Sequence, residues 1–354
     1  MKSIFRRATN DSAADALEAA AGLEAEGRAL EAIELLNDAN RKRRSAQIEE
    51  RLVDTRHLAF SELATGASPA PAPEPVGPGE APEDDGMPAL AASQLTPGRI
   101  AGALASHGAL IVRGLADPVR AKGLAAGIDR AFRARDAAAD GAARDKTTPW
   151  YAEFAPEGDA GPAVKFGRGF VERTNSGVWT ADSPRMMFDL LEMFDQAGVR
   201  EVVTSYLGER PALSVHKGTL RRAKPSVGTP WWHQDGAFLG RGIRALNIWL
   251  SLSHSGRNAP GLEVVPKRLD GIVATGTDGA DFDWSVADAV AQEVSGGEIS
   301  RPVFAPGDAI LFDDVCLHRT FTDPAMTATR YATETWFFAP SAYPDPLEQV
   351  PLAY

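Results

Sequence analysis

The stretch PGDAILFDDVCLHRTFTD, residues 306–323, decides the fold: Pro306-Gly307 opens an apolar β-strand, and His318 follows it. Four further runs from residue 211 onward have the same character. They are rich in β-branched and aromatic residues, and Gly and Pro interrupt them. These runs are ALSVHKGTLRR, RALNIWLSLS, GLEVVP and RYATETWFF. Strands in series without interposed helices predict an antiparallel sandwich or barrel rather than a parallel α/β sheet.

Upstream of residue 211 the sequence predicts helices. Thr96-Pro97, Asp117-Pro118 and Ser183-Pro184 each place an N-cap residue before a proline at the first helical position. Between the first two pairs, ALIVRG is typical of a short buried strand. A helical front and a stranded back together predict one α+β domain over residues 95–354.

Two further segments precede this domain. Residues 12–64 are rich in Ala, Leu and Glu with apolar residues at helical spacing, so we predict an amphipathic helical hairpin over residues 1–64. The main domain or another chain must cover its apolar stripe, which makes a homodimer or a partner protein bound through these helices a hypothesis. Residues 65–94 contain a run of Pro, small and acidic residues and predict a flexible linker.

Composition excludes several classes of function. The net charge of −11 over 354 residues argues against a nucleic-acid partner, since such binding relies on Lys and Arg. No apolar run approaches the length of a membrane span, and the N-terminus lacks an apolar signal region. The single cysteine, Cys316, fits a reducing compartment. We therefore expect a cytoplasmic protein whose partner is a small molecule rather than nucleic acid or membrane.

The segment PWWHQDGAFLG, residues 230–240, suggests a metal site. Within a strand, positions i and i+2 face the same way, so His233 and Asp235 can reach one ion. His318 is the candidate third ligand. Two histidines and one carboxylate, with the remaining positions open, are the ligand set of non-haem Fe(II) oxygenases. The open positions would admit a co-substrate and O2.

A guanidinium follows twelve residues after His318. Arg330 begins the apolar strand RYATETWFF, and a buried guanidinium needs an anionic partner. A dicarboxylate co-substrate would provide one, with its far carboxylate gripped by two parallel hydrogen bonds. Thr320, on the same face as His318, offers that carboxylate a hydroxyl donor. The alternative for Arg330 is an ion pair with an acidic side chain.

The segments WWHQDG, GLEVVP, PGDAILFDDVCLHRTF and RYATETWFF together resemble the phytanoyl-CoA dioxygenase family of Fe(II)/2-oxoglutarate-dependent oxygenases, over roughly residues 95–340. The resemblance implies a double-stranded β-helix, also called a jelly roll or cupin-like fold, with packed helices. It also implies the site residues. By this resemblance, His233, Asp235 and His318 bind iron, while the catalytic Arg330 and Thr320 bind 2-oxoglutarate. The strand before His-x-Asp adds Lys217, or less favourably His216, as a co-substrate contact.

The resemblance implies hydroxylation of a C–H bond, with formation of succinate and CO2, on a small-molecule or carrier-presented substrate. A non-catalytic sensor barrel that binds metal or 2-oxoglutarate is the alternative. Pro266-Lys267-Arg268 stands where many members read Pro-Gly-Ser-His, which weakens any inference about the substrate. We expect Trp231, Trp232 and the aromatic segment 150–179 to form a lid.

Overall fold

The computed structural model describes residues 12–66, 69–77, 83–156, 161–174, 177–225 and 230–354. The helices in these ranges are α1 (Ala13–Ala25), α2 (Ala29–Lys42), α3 (Ala46–Leu58), α4 (Phe60–Gly66), α5 (Pro97–His107), α6 (Pro118–Ala139), α7 (Arg144–Thr147), α8 (Gly161–Thr174), α9 (Pro184–Gln196), α10 (Val199–Leu207), α11 (Gly236–Leu239) and α12 (Asp288–Ser295). The strands are β1 (Glu83–Asp84), β2 (Met87–Ala91), β3 (Ala109–Arg113), β4 (Val178–Trp179), β5 (Ala212–Ala223), β6 (Ala245–Ser251), β7 (Gly261–Val264), β8 (Ala309–Phe312), β9 (His318–Phe321), β10 (Arg330–Phe338) and β11 (Pro351–Ala353).

The strands form two sheets. In the large sheet the order is β1-β2-β3-β8-β6-β10-β5-β11, and β4 pairs with β5. The small sheet is the antiparallel pair β7-β9. Described neighbours in the large sheet are antiparallel except β2 and β3, which are parallel. The predicted α+β fold, with antiparallel strands in a double-stranded β-helix and helices packed on it, is confirmed.

The large sheet is buried on both faces, which explains why its strands read as continuous apolar runs. In β3, Leu110 and Val112 pack into the core that the sheet shares with the helices. Ala109 and Ile111 point the other way, into the core between the two sheets. At the start of β8, Gly307 has φ +96° and lies against the Ala116 carbonyl, so a side chain there would be both strained and blocked.

The helices on the outer face begin largely where their capping residues predict. The Thr96 hydroxyl accepts from the Arg99 amide at 3.3 Å, and the Asp117 carboxylate accepts from the Val119 amide at 2.8 Å. Ser183 is different, because its hydroxyl donates to the Trp150 carbonyl at 2.6 Å instead of capping α9. The predicted single helix after Ser183 is also interrupted, since Gly198 adopts φ +72° between α9 and α10.

The N-terminal segment forms α1 to α4 rather than one hairpin. Its buried face is covered by the same chain, because α3 packs on α9 and β11, with Phe188 and Ala353 in the shared core. Glu49 is buried at this contact, where its carboxylate accepts from Arg185 Nε at 2.7 Å and from Arg44 Nε at 2.9 Å. The main domain thus covers the apolar stripe, and a partner bound through these helices stays a prediction.

Part of the predicted linker has regular structure. Residues 67–68 and 78–82 lie outside the described residues, but Met87–Ala91 forms β2 and pairs with β3, a strand that the sequence interpretation missed. Ala70 donates to the Gly208 carbonyl at 2.9 Å and Val76 to the Gly98 carbonyl at 2.8 Å. The division into domains at residues 64 and 94 stays a prediction. Within the described ranges, no helix has the length and apolar character needed to cross a membrane.

Candidate metal centre

Two backbone hydrogen bonds bring His233 and His318 side by side. The His233 amide donates to the His318 carbonyl at 3.0 Å, and the His318 amide donates back to the His233 carbonyl at 3.1 Å. His318 is also the first residue of β9, where it pairs with Val264 of β7. The bridge therefore continues the small sheet by one residue pair, and the two imidazole centroids lie 4.4 Å apart.

Asp235 reaches the same place by a turn rather than by a strand. It has φ −61° and ψ −28° and directly precedes the short helix α11, so the expectation that His233 and Asp235 share one strand is wrong. The turn is anchored on both sides. Gly236 donates its amide to the Asp314 carbonyl at 2.8 Å, while the Gln234 side chain donates to the Val315 carbonyl at 2.6 Å and accepts from the Val273 amide at 2.8 Å.

The three predicted ligands converge. One donor atom each from His233, Asp235 and His318 lies within 4.8 Å of the other two. Asp235 Oδ2 and His318 Nε2 are 3.8 Å apart, which is within the span of two ligands that each lie about 2.1 Å from one ion. The described residues contribute no fourth His, Cys, Asp or Glu to this group. One face of a shared ion therefore stays open to other ligands.

Hydrogen bonds orient both imidazoles for metal binding. His233 Nδ1 lies 3.0 Å from the Trp231 carbonyl, and His318 Nδ1 lies 3.0 Å from the Cys316 carbonyl. Because a carbonyl only accepts, each Nδ1 carries a proton, which leaves Nε2 as the ring nitrogen available to a metal ion. Such a hydrogen bond at the second ring nitrogen is what metal-bound histidines usually have.

The surroundings also set the protonation that a cation needs. Burial, reinforced by the neighbouring His318, lowers the pKa of His233 to about 4, so its imidazole is neutral near pH 7. Burial alone would raise the pKa of Asp235, but the Lys217 ammonium and both imidazoles outweigh it and lower that pKa to about 2. Two imidazoles and one carboxylate fit a divalent transition-metal ion such as ferrous iron.

Arg330 is a buried cation without a protein counter-ion among the described residues. Its side chain is 4% exposed, Nη1 donates to the Gly261 carbonyl at 3.2 Å, and Nε has no hydrogen-bond partner. Burial, with a further contribution from Arg221, lowers the pKa of Arg330 to about 9. An uncompensated guanidinium of this kind is a site for an anion.

Thr320 lies at the same end of the small sheet as the Arg330 guanidinium. Thr320 pairs with Leu262, the neighbour of Gly261, whose carbonyl accepts from Arg330. As residues i and i+2 of β9, His318 and Thr320 face the same side of the small sheet. The structure thus arranges the triad, the Thr320 hydroxyl and the guanidinium along one small sheet.

Lys217 contacts the triad itself. Its Nζ lies 2.6 Å from Asp235 Oδ1 and 3.9 Å from the centroid of the Phe238 ring. In the structure its partner is therefore a metal ligand, and its predicted contact with 2-oxoglutarate stays a prediction. His216, the alternative, packs its ring 4.8 Å from that of Trp179, on the helical side of the sheet.

The predicted lid is only partly placed at the site. Trp231 is exposed beside it, but Trp232 is 1% exposed and packs with Val265 and Val286. Tyr151 and Trp179 are buried on the helical side of the large sheet, away from the triad. Instead, Phe238 and Trp284 lie beside His233, and Phe282, from the same 275–287 loop as Trp284, stacks on Trp284. The aromatic pair in DFDW was the sequence signal for them.

A charged pair inside the barrel was also missed. Arg221 of β5 and Glu334 of β10 form an ion pair at 2.7 Å on the inner face of the large sheet. Arg221 lies opposite Ala332, whose small side chain leaves the guanidinium room to reach Glu334 diagonally. Glu334 is two residues from both Ala332 and Trp336, which lie in the core between the two sheets, so the period of two along the strand places it on the same inward face.

A comparison with protein families identifies one that covers the triad. The family model described as phytanoyl-CoA dioxygenase matches residues 104–323, which include all three triad residues. A comparison with curated protein sequences finds no match.

Solved structures with a similar fold include EctD from S. alaskensis with 2-oxoglutarate and 5-hydroxyectoine. It is 16% identical over 80% of this chain and 88% of its own, with a TM-score of 0.48. The carbocyclase SnoK from nogalamycin biosynthesis is 12% identical over 70% of this chain and 86% of its own, with a TM-score of 0.45. The epimerase SnoN is 14% identical over 68% of this chain and 83% of its own, with a TM-score of 0.39.

Proposed function

The chain belongs to the phytanoyl-CoA dioxygenase family, and from that premise we propose that it is an Fe(II)/2-oxoglutarate-dependent dioxygenase that hydroxylates a C–H bond. Its substrate is a small molecule, either free or presented on a carrier. The observation that carries the proposal is the convergence of one carboxylate and two imidazoles, each with its Nε2 free to bind metal.

Ferrous iron would be held by His233 Nε2, His318 Nε2 and Oδ2 of Asp235. Lys217 occupies the other oxygen of Asp235, so the carboxylate has one oxygen left for the ion. Three protein ligands leave open positions for a co-substrate and O2. This donor set supports iron over zinc in a structural role, because structural zinc sites are closed by four protein ligands.

The co-substrate 2-oxoglutarate would place its far carboxylate on Arg330 and Thr320. The support is the buried guanidinium, whose Nε is unsatisfied and which forms no ion pair with a described residue. A dicarboxylate that spans from the triad to Arg330 offsets the free-energy cost of burying an unpaired guanidinium, since each guanidinium–carboxylate hydrogen bond is charge-assisted.

Bound iron and 2-oxoglutarate supply the oxidation: O2, 2-oxoglutarate and R–H become succinate, CO2 and R–OH, with one oxygen atom of O2 in each of the two organic products. The protein orients the reactants and excludes water. The Phe312 ring lies 4.5 Å from that of His318 and 6.1 Å from that of Trp336. These buried rings make the inner wall of the centre apolar.

The alternative is a non-catalytic barrel that binds metal or 2-oxoglutarate as a sensor. Open metal positions beside a carboxylate-binding guanidinium favour the enzyme, because a sensor has no need of a place for O2. The two functions differ in a measurable product, since only the enzyme converts 2-oxoglutarate to succinate.

The test is assembly of the full-length chain with Fe(II) and 2-oxoglutarate under argon, followed by exposure to O2 and quantification of succinate. A charge-transfer absorption on anaerobic addition of 2-oxoglutarate reports chelation by iron. We expect both signals in the unmodified chain, and faster succinate formation when a screened compound is the substrate.

The matched control compares two histidines. His318→Ala should remove the absorption and the succinate, whereas His254→Ala, at an exposed position outside the triad, should retain both. Chelation without succinate, even with a broad set of added compounds, would favour the sensor. Full succinate formation by His318→Ala would end the proposal.

A further inference from the structure

Four aromatic side chains form a partly exposed cluster beside the triad: Trp231, Phe238, Phe282 and Trp284, here called the aromatic rim. From the rim and the charges around it, we infer that the substrate carries a cationic group, such as an ammonium. This group binds at the rim while a neighbouring carbon is presented to the triad. The inference rests on the proposed function, because it concerns the substrate of the same centre.

The rim directly adjoins a metal ligand. The His233 ring lies 6.4 Å from that of Phe238, at an angle of 23°, and 6.1 Å from that of Trp284, nearly perpendicular at 85°. Phe282 stacks on Trp284 at 5.2 Å and 4°, and Trp231 meets Phe282 edge-on at 4.6 Å and 88°. A molecule on the rim is therefore next to the reacting centre.

These rings stay exposed although their loop is well anchored. Trp231 is 40%, Phe282 39% and Phe238 36% exposed. Meanwhile the Val286 amide donates to the Trp232 carbonyl at 2.8 Å, and Ser285 closes a turn by hydrogen bonds to Phe282. An ordered, solvent-facing aromatic patch beside a catalytic centre is typical of a binding surface.

The acidic residues around the rim favour a positively charged ligand. Residues 269–300, which contain Phe282 and Trp284, include seven acidic residues and no Lys, Arg or His. Asp281 and Asp283 flank Phe282, Asp281 accepts from the Trp231 indole N–H, and neither forms an ion pair with a described residue. Aromatic faces and unpaired carboxylates attract a cation together, whereas an anionic substrate would be repelled.

The rim already accommodates a cation on its inner side, where Lys217 Nζ lies 3.9 Å from the Phe238 ring centroid. That ammonium is neutralised by Asp235, so it does not oppose a second cation at the outer side. The formal charges of Fe(II) and of the 2-oxoglutarate dianion also cancel, which leaves Arg330 as the remaining positive charge of the centre, on a side chain that is buried rather than at the exposed rim. The acidic loop therefore sets the sign of the potential at the mouth of the site.

The test measures binding without turnover. The cation inference can therefore fail while the succinate assay supports the proposed function, and the proposed function can fail while the cation binds. Choline and its uncharged isostere 3,3-dimethylbutan-1-ol are titrated into the full-length chain labelled with 5-fluorotryptophan, both metal-free and loaded with Zn(II) and 2-oxoglutarate. The ¹⁹F resonances of Trp231 and Trp284 are assigned from Trp→Phe variants. We expect these two resonances to shift with choline at an affinity at least about tenfold above that of the alcohol.

Paired variants separate charge from shape. Asp281→Asn combined with Asp283→Asn should weaken choline binding by about two- to tenfold and leave the alcohol unaffected. Asp140→Asn, at an exposed acid directly after α6 and remote from the rim, is the matched control and should change neither. Phe282→Leu, which leaves Asp281 and Asp283 in place, should reduce the preference for choline over the alcohol. Higher salt should also reduce this preference, because it screens the two carboxylates.

Equal affinity for choline and the alcohol would overturn the inference, and so would a loss in Asp140→Asn as large as that in the double variant. A rim that binds a second copy of the chain, seen as a dimer that Phe282→Leu dissociates, would also overturn it. Because the Asn variants change exposed side chains, we expect them to fold like the unmodified chain, which circular dichroism checks. A change in choline binding then reports the lost charge and not misfolding.

Discussion

The Nζ atom of Lys217 lies 2.6 Å from Oδ1 of Asp235, while Oδ2 of the same carboxylate lies 3.8 Å from His318 Nε2. The two oxygens of one side chain thus face different partners, an ammonium and the site of the expected ion. The contact also keeps Asp235 ionised despite its burial. Lys217 therefore prepares the carboxylate before any metal binds.

Replacing this lysine should have an effect that depends on the metal. Lys217→Met leaves a buried carboxylate without its cation, so we expect a loss of about 3 kcal/mol in the free energy of unfolding of the metal-free chain. Bound Zn(II) should recover most of that loss, because the ion takes over as counter-charge. Urea unfolding with and without Zn(II) measures both values. Lys224→Met, at an exposed lysine just beyond β5, is the control, and equal behaviour of the two variants would contradict the role of Lys217.

Arg330 should stabilise a ligand complex at the expense of the empty protein. We expect Arg330→Met to raise the free energy of unfolding of the ligand-free chain by about 1–3 kcal/mol, because an unpaired buried charge is replaced by an apolar side chain. The same variant should lose the rise in melting temperature that 2-oxoglutarate gives in the presence of Zn(II). Thermal melts with and without 2-oxoglutarate test this. Exposed Arg257→Met should retain the ligand effect, and retention of it by Arg330→Met would show that the diacid binds elsewhere.

Asp314 should make stability depend on pH. Burial, together with the neighbouring Asp313, raises the pKa of Asp314 from 3.8 to about 6. The folded state therefore holds this proton more tightly than the unfolded state, and the free energy of unfolding falls as pH rises from about 4 to about 6. Asp314→Asn should be more stable than the unmodified chain by about 1–2 kcal/mol at pH 7–8, after allowance for solvent screening, and show no gain near pH 4. Urea unfolding across this pH range provides the check, with exposed Asp270→Asn as control. A gain independent of pH would exclude this explanation.

Glu49 should hold the N-terminal helices on the main domain. Its buried carboxylate joins Arg185 of α9 to Asn40 and Arg44 at the end of α2. Glu49→Ala leaves the Arg185 Nε and the Asn40 amide without this acceptor, so we expect a loss of about 2–4 kcal/mol in the free energy of unfolding and faster proteolysis within residues 12–66. Glu18→Ala, at an exposed position on α1, should change neither quantity. If the two variants behave alike, the attachment of these helices rests on apolar packing alone.

Much of the architecture follows from local sequence patterns. The strands ALIVRG, RALNIWLSLS and RYATETWFF are predicted because runs of β-branched and aromatic residues bounded by turn residues have few other stable conformations. Thr96 and Asp117 mark helix starts because their side chains accept hydrogen bonds from amides two or three residues away. Because these interactions involve residues only a few positions apart, they can be predicted from the sequence alone.

Other features depend on residues far apart in the chain. Strand β2 was not predicted because it follows a Pro-rich segment and is stabilised by pairing with β3, a tertiary contact that its own composition does not indicate. The rim is likewise missed, because Trp231 and Phe282 are about 50 residues apart and meet only where Val286 bonds to Trp232. In the triad, the sequence suggested the right residues through the wrong local structure, since a turn and not a strand presents Asp235.

The amino-acid sequence by itself determined the fold class, the family resemblance and the identity of the three candidate ligands, because residue type and order along the chain are enough for each of these. Only the tertiary structure decided that both histidines present Nε2, that Lys217 takes one oxygen of Asp235, and that Arg330 is buried without a described counter-ion. These are matters of distance and solvent exclusion. Both arise when segments remote in sequence pack together and charges leave water, which no local pattern can specify.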